Sequence, residues 1–163
     1  KELLNCRFAL ERRNILCLGR SGLGKTRVLK AIGHAACVLG YSTLFVMAAE
    51  MLEELHASQA DGSFHRALRR YTKPAVLLVD EFGIEPFDTE ATTYLYRLIA
   101  ARHQQGSIVL AANTGFSKWK ALFPSEPTAL ATLDRLIARA PILRFTGKSF
   151  RDPQETTGAP LDE

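Results

Sequence analysis

A chain of 163 residues, 47% hydrophobic and 23% charged, is long enough for one domain with a sizeable core, and no apolar run approaches the roughly 18 residues of a membrane span. Its start, KELLNCRFALERRN, lacks the unbroken apolar stretch of a signal peptide, and without an initiator methionine it reads as a fragment or a processed piece. The formal charge of +4 is compatible with nucleic acid without requiring it, and three cysteines without metal-ligand spacing, Cys6, Cys17 and Cys37, read as reduced thiols of a cytoplasmic protein, the last two in apolar surroundings.

Asn14–Gly19, NILCLG, is an apolar run stopped by glycine and predicts a buried strand. From Lys25 to Leu39 a helical stripe runs through Val28, Ile32, Ala35 and Leu39, ended by Gly40. Ser42–Met47 is the next strand; Ala48–Ala60 reads as a helix with Met51, Leu52 and Leu55 inward. After the DGS break, Phe64, Leu68 and Tyr71 share a helical face that Pro74 closes. Ala75–Asp80 is a strongly apolar strand. Ala91, Leu95, Leu98 and Arg102 recur at helical spacing, and Ser107–Asn113 follows as a strand. Short helices are expected around Trp119 and over Thr128–Ala138, then a last strand at Pro141–Phe145. From Arg151 the chain is rich in Pro, Gly and acid, a polar and frayed tail over residues 151–163. Strands apolar on both faces alternating with helices predict an α/β domain over residues 1–150, a parallel sheet covered on both sides.

The octet Gly19–Thr26, GRSGLGKT, fits G-x-x-x-x-G-K-[ST] and lies between a predicted strand and an amphipathic helix. Its glycines free backbone N–H groups to curl around a polyphosphate, so Gly19, Arg20, Ser21, Gly22, Leu23, Gly24, Lys25, Thr26 and Arg27 form the expected nucleotide-binding run. Lys25 is placed to reach the outer phosphates and Thr26 to offer its hydroxyl to Mg²⁺. Such a cradle binds but does not cleave; hydrolysis needs a metal carboxylate and a polarised water. VLLVDE supplies candidates: Asp80, at the end of a buried strand, for the metal, and Glu81 as general base. An acidic strand end capping the next loop is the plainer reading of the pair. Asn113, closing SIVLAAN, fits either a water-orienting amide or a turn residue before Gly115. Adenine is the default base, since no N-K-x-D segment is present. A small-molecule kinase is the competing chemistry, but the adjacent Asp80 and Glu81 suit water activation better.

Five segments together, NILCLGRSGLGKT, GYSTLFVMAAEMLEELHASQADGS, LLVDEFGIEPFD, SIVLAANTGFSKWKALF and LATLDRLIARAPILRFTGKSFR, resemble the IstB-like ATP-binding proteins, transposition helper ATPases of IS21-type elements and relatives of the DnaC helicase loader. The resemblance spans about residues 1–151. It implies a three-layer P-loop NTPase of AAA+ type, ATP and Mg²⁺ as cofactors, and subunits that assemble on double-stranded DNA with ATP between them. It makes Lys25 and Thr26 the Walker A pair, Asp80 and Glu81 Walker B, Asn113 sensor 1, and Arg135 an arginine finger acting on a neighbour's nucleotide. Helical spacing sets Arg135 nearly opposite a stripe of Leu130, Leu133, Leu136 and Ile137, which predicts an outward-pointing side chain; a solvated surface arginine fits the same spacing. Two features depart from the family: Gly147–Glu163 is too short for a helical lid, and almost nothing precedes Lys1 where members usually carry a region that engages DNA or the transposase; Arg151, in GKSFR, sits where members often have SYR and has no assigned role.

The function implied is an ATP-dependent switch that recruits or activates a transposase. A replicative helicase loader is the alternative with the same chemistry. Two basic patches, Arg66, Arg69, Arg70 and Lys73, and Lys118-Trp119-Lys120, are candidates for touching phosphates, with Trp119 either stacked on a base or packed in the core. His34, His56, His65 and His103 form no metal or triad pattern.

Overall fold

The apolar runs pair with one another, because a strand inside a covered sheet leaves its backbone groups no water to bond; the two edge strands, Thr43–Met47 and Ile142–Arg144, are mostly half-buried or exposed, unlike the expected strands apolar on both faces. In the computed structural model the strands β1 (Ile15–Leu18), β2 (Thr43–Met47), β3 (Val76–Phe82), β4 (Ser107–Ala112) and β5 (Ile142–Arg144) form one parallel sheet in the order β2-β3-β4-β1-β5. The structure describes residues 2–150; Arg151 and the predicted polar tail lie outside the described residues.

Alternation along the strands divides the core. Leu16, Leu18, Leu77, Val79, Ile108 and Leu110 face the helices α3 (Ala48–Ala60), α4 (Phe64–Thr72), α5 (Thr89–Arg102) and α6 (Glu126–Ile137). Ile15, Cys17, Val76, Leu78, Val109 and Ala111 face α2 (Lys25–Val38) and the short α1 (Arg7–Leu10). The three layers are thus helix, sheet, helix. The turn at Glu2–Asn5 and α1 were not expected; four-residue elements are too short to show a period. Phe8 and Ala9 of α1 are nevertheless buried.

Two helices start earlier than periodicity suggests. α5 begins at Thr89 because the Asp88 side chain caps it, accepting from Ala91 N–H at 2.7 Å. α6 begins at Glu126 with Pro127 in its first turn, where a missing N–H costs nothing. Two buried stripes also differ from expectation. In α2 the inward residues are Leu29, Ile32, Gly33 and Ala36, while Leu39 is exposed. In α6 they are Ala129, Thr132, Leu133 and Leu136, while Leu130 and Ile137 are exposed. In both, small residues let the helix press close to its neighbours; a Cβ on Gly33 would collide with Leu78.

Trp119 belongs to the core, not to a surface patch. It is fully buried, 5.2 Å from the Phe82 ring and 4.7 Å from the Phe116 ring, and its indole N–H donates to the Thr114 carbonyl at 3.1 Å. That removes it as a base-stacking residue. No helix among the described residues is long and apolar enough to cross a membrane.

Candidate functional site

A parallel sheet of this order gathers loops at the carboxyl ends of its strands. β3, β4 and β1 are consecutive neighbours, so whatever follows them meets in one place. The octet follows β1. Gly22 and Gly24 adopt φ of 80° and 86°, the left-handed region, bending the chain into a concave run of amides. Helix α2 starts at once, with Lys25 and Thr26 in a first turn that carries no acid. Its N-terminus adds roughly half a positive charge to the concavity. Lys25 is only 6% exposed, and its ammonium donates to the Arg20 carbonyl at 2.7 Å.

At the end of β3 the ladder to β4 slips. Val79 pairs with Leu110 and Phe82 with Ala112, so Asp80 and Glu81 together stand opposite Ala111. This is a β-bulge, and Glu81 carries it at φ 57°, a left-handed conformation that costs about 1–2 kcal/mol outside glycine. Adjacent strand residues ordinarily point to opposite faces. The bulge cancels that alternation, and both carboxylates line the same pocket. Asp80 is 3% exposed and accepts the Glu81 N–H at 2.9 Å, whereas Glu81 is exposed.

Asn113 follows the last residue of β4 and lines the same pocket. The exits of β1 and β4 are stitched together by Gly19 N–H donating to the Ala112 carbonyl at 3.2 Å. A cavity of about 260 Å³ is thereby walled by Ser21, Gly22, Gly24, Lys25, Thr26 and Arg27 of the loop, and by Asp80, Glu81 and Asn113. The other three residues of the run stand apart. Gly19 packs against Phe145, Leu23 is buried, and Arg20 contributes its carbonyl to Lys25.

Beneath this floor lies Cys17 of β1, its thiol pushed up to about 12 by burial, with Lys25 opposing and Asp80 adding to the rise. It stays protonated. Among the described residues no three His, Cys, Asp or Glu side chains converge to cage a metal. Thr26 and Asp80 both line the pocket, and the pair could hold a cation that keeps waters and takes its remaining ligands from phosphates.

Arg135 is not at this pocket. It lines a separate cavity of about 480 Å³ with Arg12, Arg13 and Arg139. Nor does it point straight outward: it is half-buried, its guanidinium sits 5.3 Å over the Tyr96 ring and it donates to the Ala131 carbonyl at 2.7 Å. The physical reason is the rotated stripe of α6, which turns Arg135 toward α5. Sequence reasoning missed this arginine cluster because its members come from separate segments. It also missed Phe150, which lines the phosphate-loop pocket; no local pattern could have placed a residue six beyond β5 there.

The family model described as IstB-like ATP binding protein matches residues 1–158. The chain belongs to the IstB-like ATP-binding family. Among its IstB-like relatives, a protein of Geobacillus stearothermophilus named as an ATP-binding protein of insertion sequence IS5376 is 35% identical over 151 residues, covering 93% of this chain. The chain spans 60% of that relative's length. Its fold is similar to those of DnaI (TM-score 0.76, 21% identity, 86% of this chain and 80% of that one) and the DnaC helicase loader (TM-score 0.71, 17% identity, 88% and 87%). The fold is thus the P-loop NTPase of AAA+ type that the IstB-like resemblance implied.

Proposed function

We propose that this IstB-like chain is the ATP-binding and ATP-hydrolysing core of a transposition helper, one that works on double-stranded DNA and recruits or activates a transposase. A single observation carries the chemistry: the phosphate loop, Asp80, Glu81 and Asn113 reach one pocket from three neighbouring strands. The relative named for an insertion sequence supports the biological setting.

In this reading the loop amides and Lys25 bind the β- and γ-phosphates, and Thr26 and Asp80 hold Mg²⁺. The ion, when bound, supplies charge neutralisation at the phosphates. Glu81 takes a proton from the attacking water; the bulge is what brings its carboxylate beside Asp80 instead of behind the sheet. Asn113 orients that water. Arg135 completes the site of a second copy, so that ATP favours an assembled state and hydrolysis dissolves it.

The test is a pair of variants. Glu81→Gln should keep ATP affinity and lose turnover by about 100-fold or more, while Lys25→Ala should lose ATP binding in calorimetry. Full hydrolysis by Glu81→Gln removes Glu81 as the base; undiminished ATP affinity in Lys25→Ala removes the loop as the site.

A further inference from the structure

We infer that Phe150 is the platform on which the base of the bound nucleotide stacks, so that the site takes nucleoside triphosphates in preference to inorganic polyphosphate. The inference rests on the nucleotide reading above and adds the residue that engages the nucleoside.

The strand order supplies the direction. Asp80 and Glu81 lie at the end of β3 and Asn113 just after β4, on one side of the phosphate loop; β5 flanks β1 on the other. The chain leaves β5 and returns to the loop at Phe150. There its N–H donates to the Gly22 carbonyl at 2.9 Å, and a ring carbon lies 3.9 Å from where a Cβ on Gly24 would stand. The pocket therefore has a charged flank and an aromatic flank, with the amide cradle between them. A ligand whose phosphates lie in the cradle with their outer end toward Asp80 directs its remaining part toward β5. In a nucleoside triphosphate that part ends in a flat, aromatic base.

Phe150 suits such a partner. The residue is 84% exposed, more than any other large apolar residue among those described, and it is the one aromatic residue among the described residues lining this pocket. A ring so exposed gains from covering by another flat surface. Stacking tolerates any base, because every base offers a π-face. Phe150 therefore selects for a base without choosing which one.

The experiment titrates wild-type protein, Phe150→Ala and Phe150→Trp with ATP and with inorganic tripolyphosphate, both with Mg²⁺. The alanine variant keeps the backbone N–H that ties Gly22, so it isolates the ring. Phe150→Ala should weaken ATP about tenfold and leave tripolyphosphate unchanged. Phe150→Trp should retain ATP affinity, and its added emission should be quenched by ATP but not by tripolyphosphate; the chain's one native tryptophan, Trp119, is fully buried. Undiminished ATP affinity in Phe150→Ala, equal losses for both ligands, or added emission in Phe150→Trp that ATP leaves unchanged each overturn the stacking role. If wild-type protein binds tripolyphosphate while any of these holds, the phosphate site stands and only the platform falls. If wild-type protein binds neither ligand, both readings fall.

Discussion

Cys6, Cys17 and Cys37 carry the same thiol into three environments. Cys6 and Cys17 are fully buried, and burial raises both thiols. Cys37, expected in apolar surroundings, is exposed on the outer side of α2, its sulfur 2.7 Å from the Thr43 hydroxyl. The thiolate is the reactive form, so a group held near 12 is almost wholly protonated at pH 8. Alkylation of native protein at that pH, read by mass spectrometry, should label Cys37 alone; Cys6 and Cys17 should react only after unfolding. Early labelling of Cys17 would mean the β1 floor opens in the native state. Arg102 makes the opposite point. Its place on the inward stripe of α5 was legible as spacing, and the structure buries it. Its guanidinium donates to the carbonyls of Tyr71, Thr72, Pro74, Ala75 and Ser107. Those bonds clamp the entrances of β3 and β4, the strands whose far ends carry Asp80 and Asn113. A charge can occupy an apolar stripe only when such acceptors are waiting, and all but the Ser107 carbonyl come from the end of α4 and the link into β3, far away in the chain.

At the scale of elements, the join between β1 and β5 shows how tightly the phosphate loop is mounted. Phe145 N–H donates to the Leu18 carbonyl at 2.7 Å, and the Phe145 backbone presses on Gly19. A Cβ on Gly19 would meet the Phe145 carbonyl and stand 2.8 Å from its Cβ. Backbone cannot swing away as a side chain can. Gly19→Ala should therefore destabilise the fold by about 1–3 kcal/mol, seen as a lower Tm. Gly115→Ala, whose Cβ meets nothing within 4 Å, is the control and should leave Tm nearly unchanged. Equal Tm values for wild type and Gly19→Ala would show that β5 gives way freely. The strand and helix positions were largely legible because hydrophobic period is a local property. The helical faces of α2 and α6 were less so. A pattern weighted to Leu, Val and Ile overlooks Gly33, Ala36 and Ala129, small residues buried where the helix fits closest.

For the whole molecule, the decisive geometry is that the arginine cavity and the phosphate-loop pocket are distinct. Arg135 shares no wall with Asp80 or Glu81, so in the proposed function it serves another copy. It stacks on Tyr96 and donates to the Ala131 carbonyl, contacts that the proposed assembly would have to release. Arg135→Ala should lower the ATPase rate about 100-fold or more while leaving ATP affinity intact. Mixing it with Glu81→Gln should restore some activity, because one interface in the mixture pairs an intact Arg135 with an intact Glu81. Rates and particle mass measured together, with and without duplex DNA, check this; a mixture that stays inactive while assembling normally counts against action in trans.

The sequence by itself determined the phosphate loop, the strand positions and the family, since each is written in contiguous residues whose chemistry does not depend on neighbours in space. Tertiary structure alone decided that Asp80 and Glu81 share a pocket, that Phe150 comes back to the loop, and that Arg135 lies among Arg12, Arg13 and Arg139. Those outcomes depend on strand order, on a slipped ladder and on which helical face finds room. All three are set by contacts between segments far apart in the chain, which no local pattern encodes.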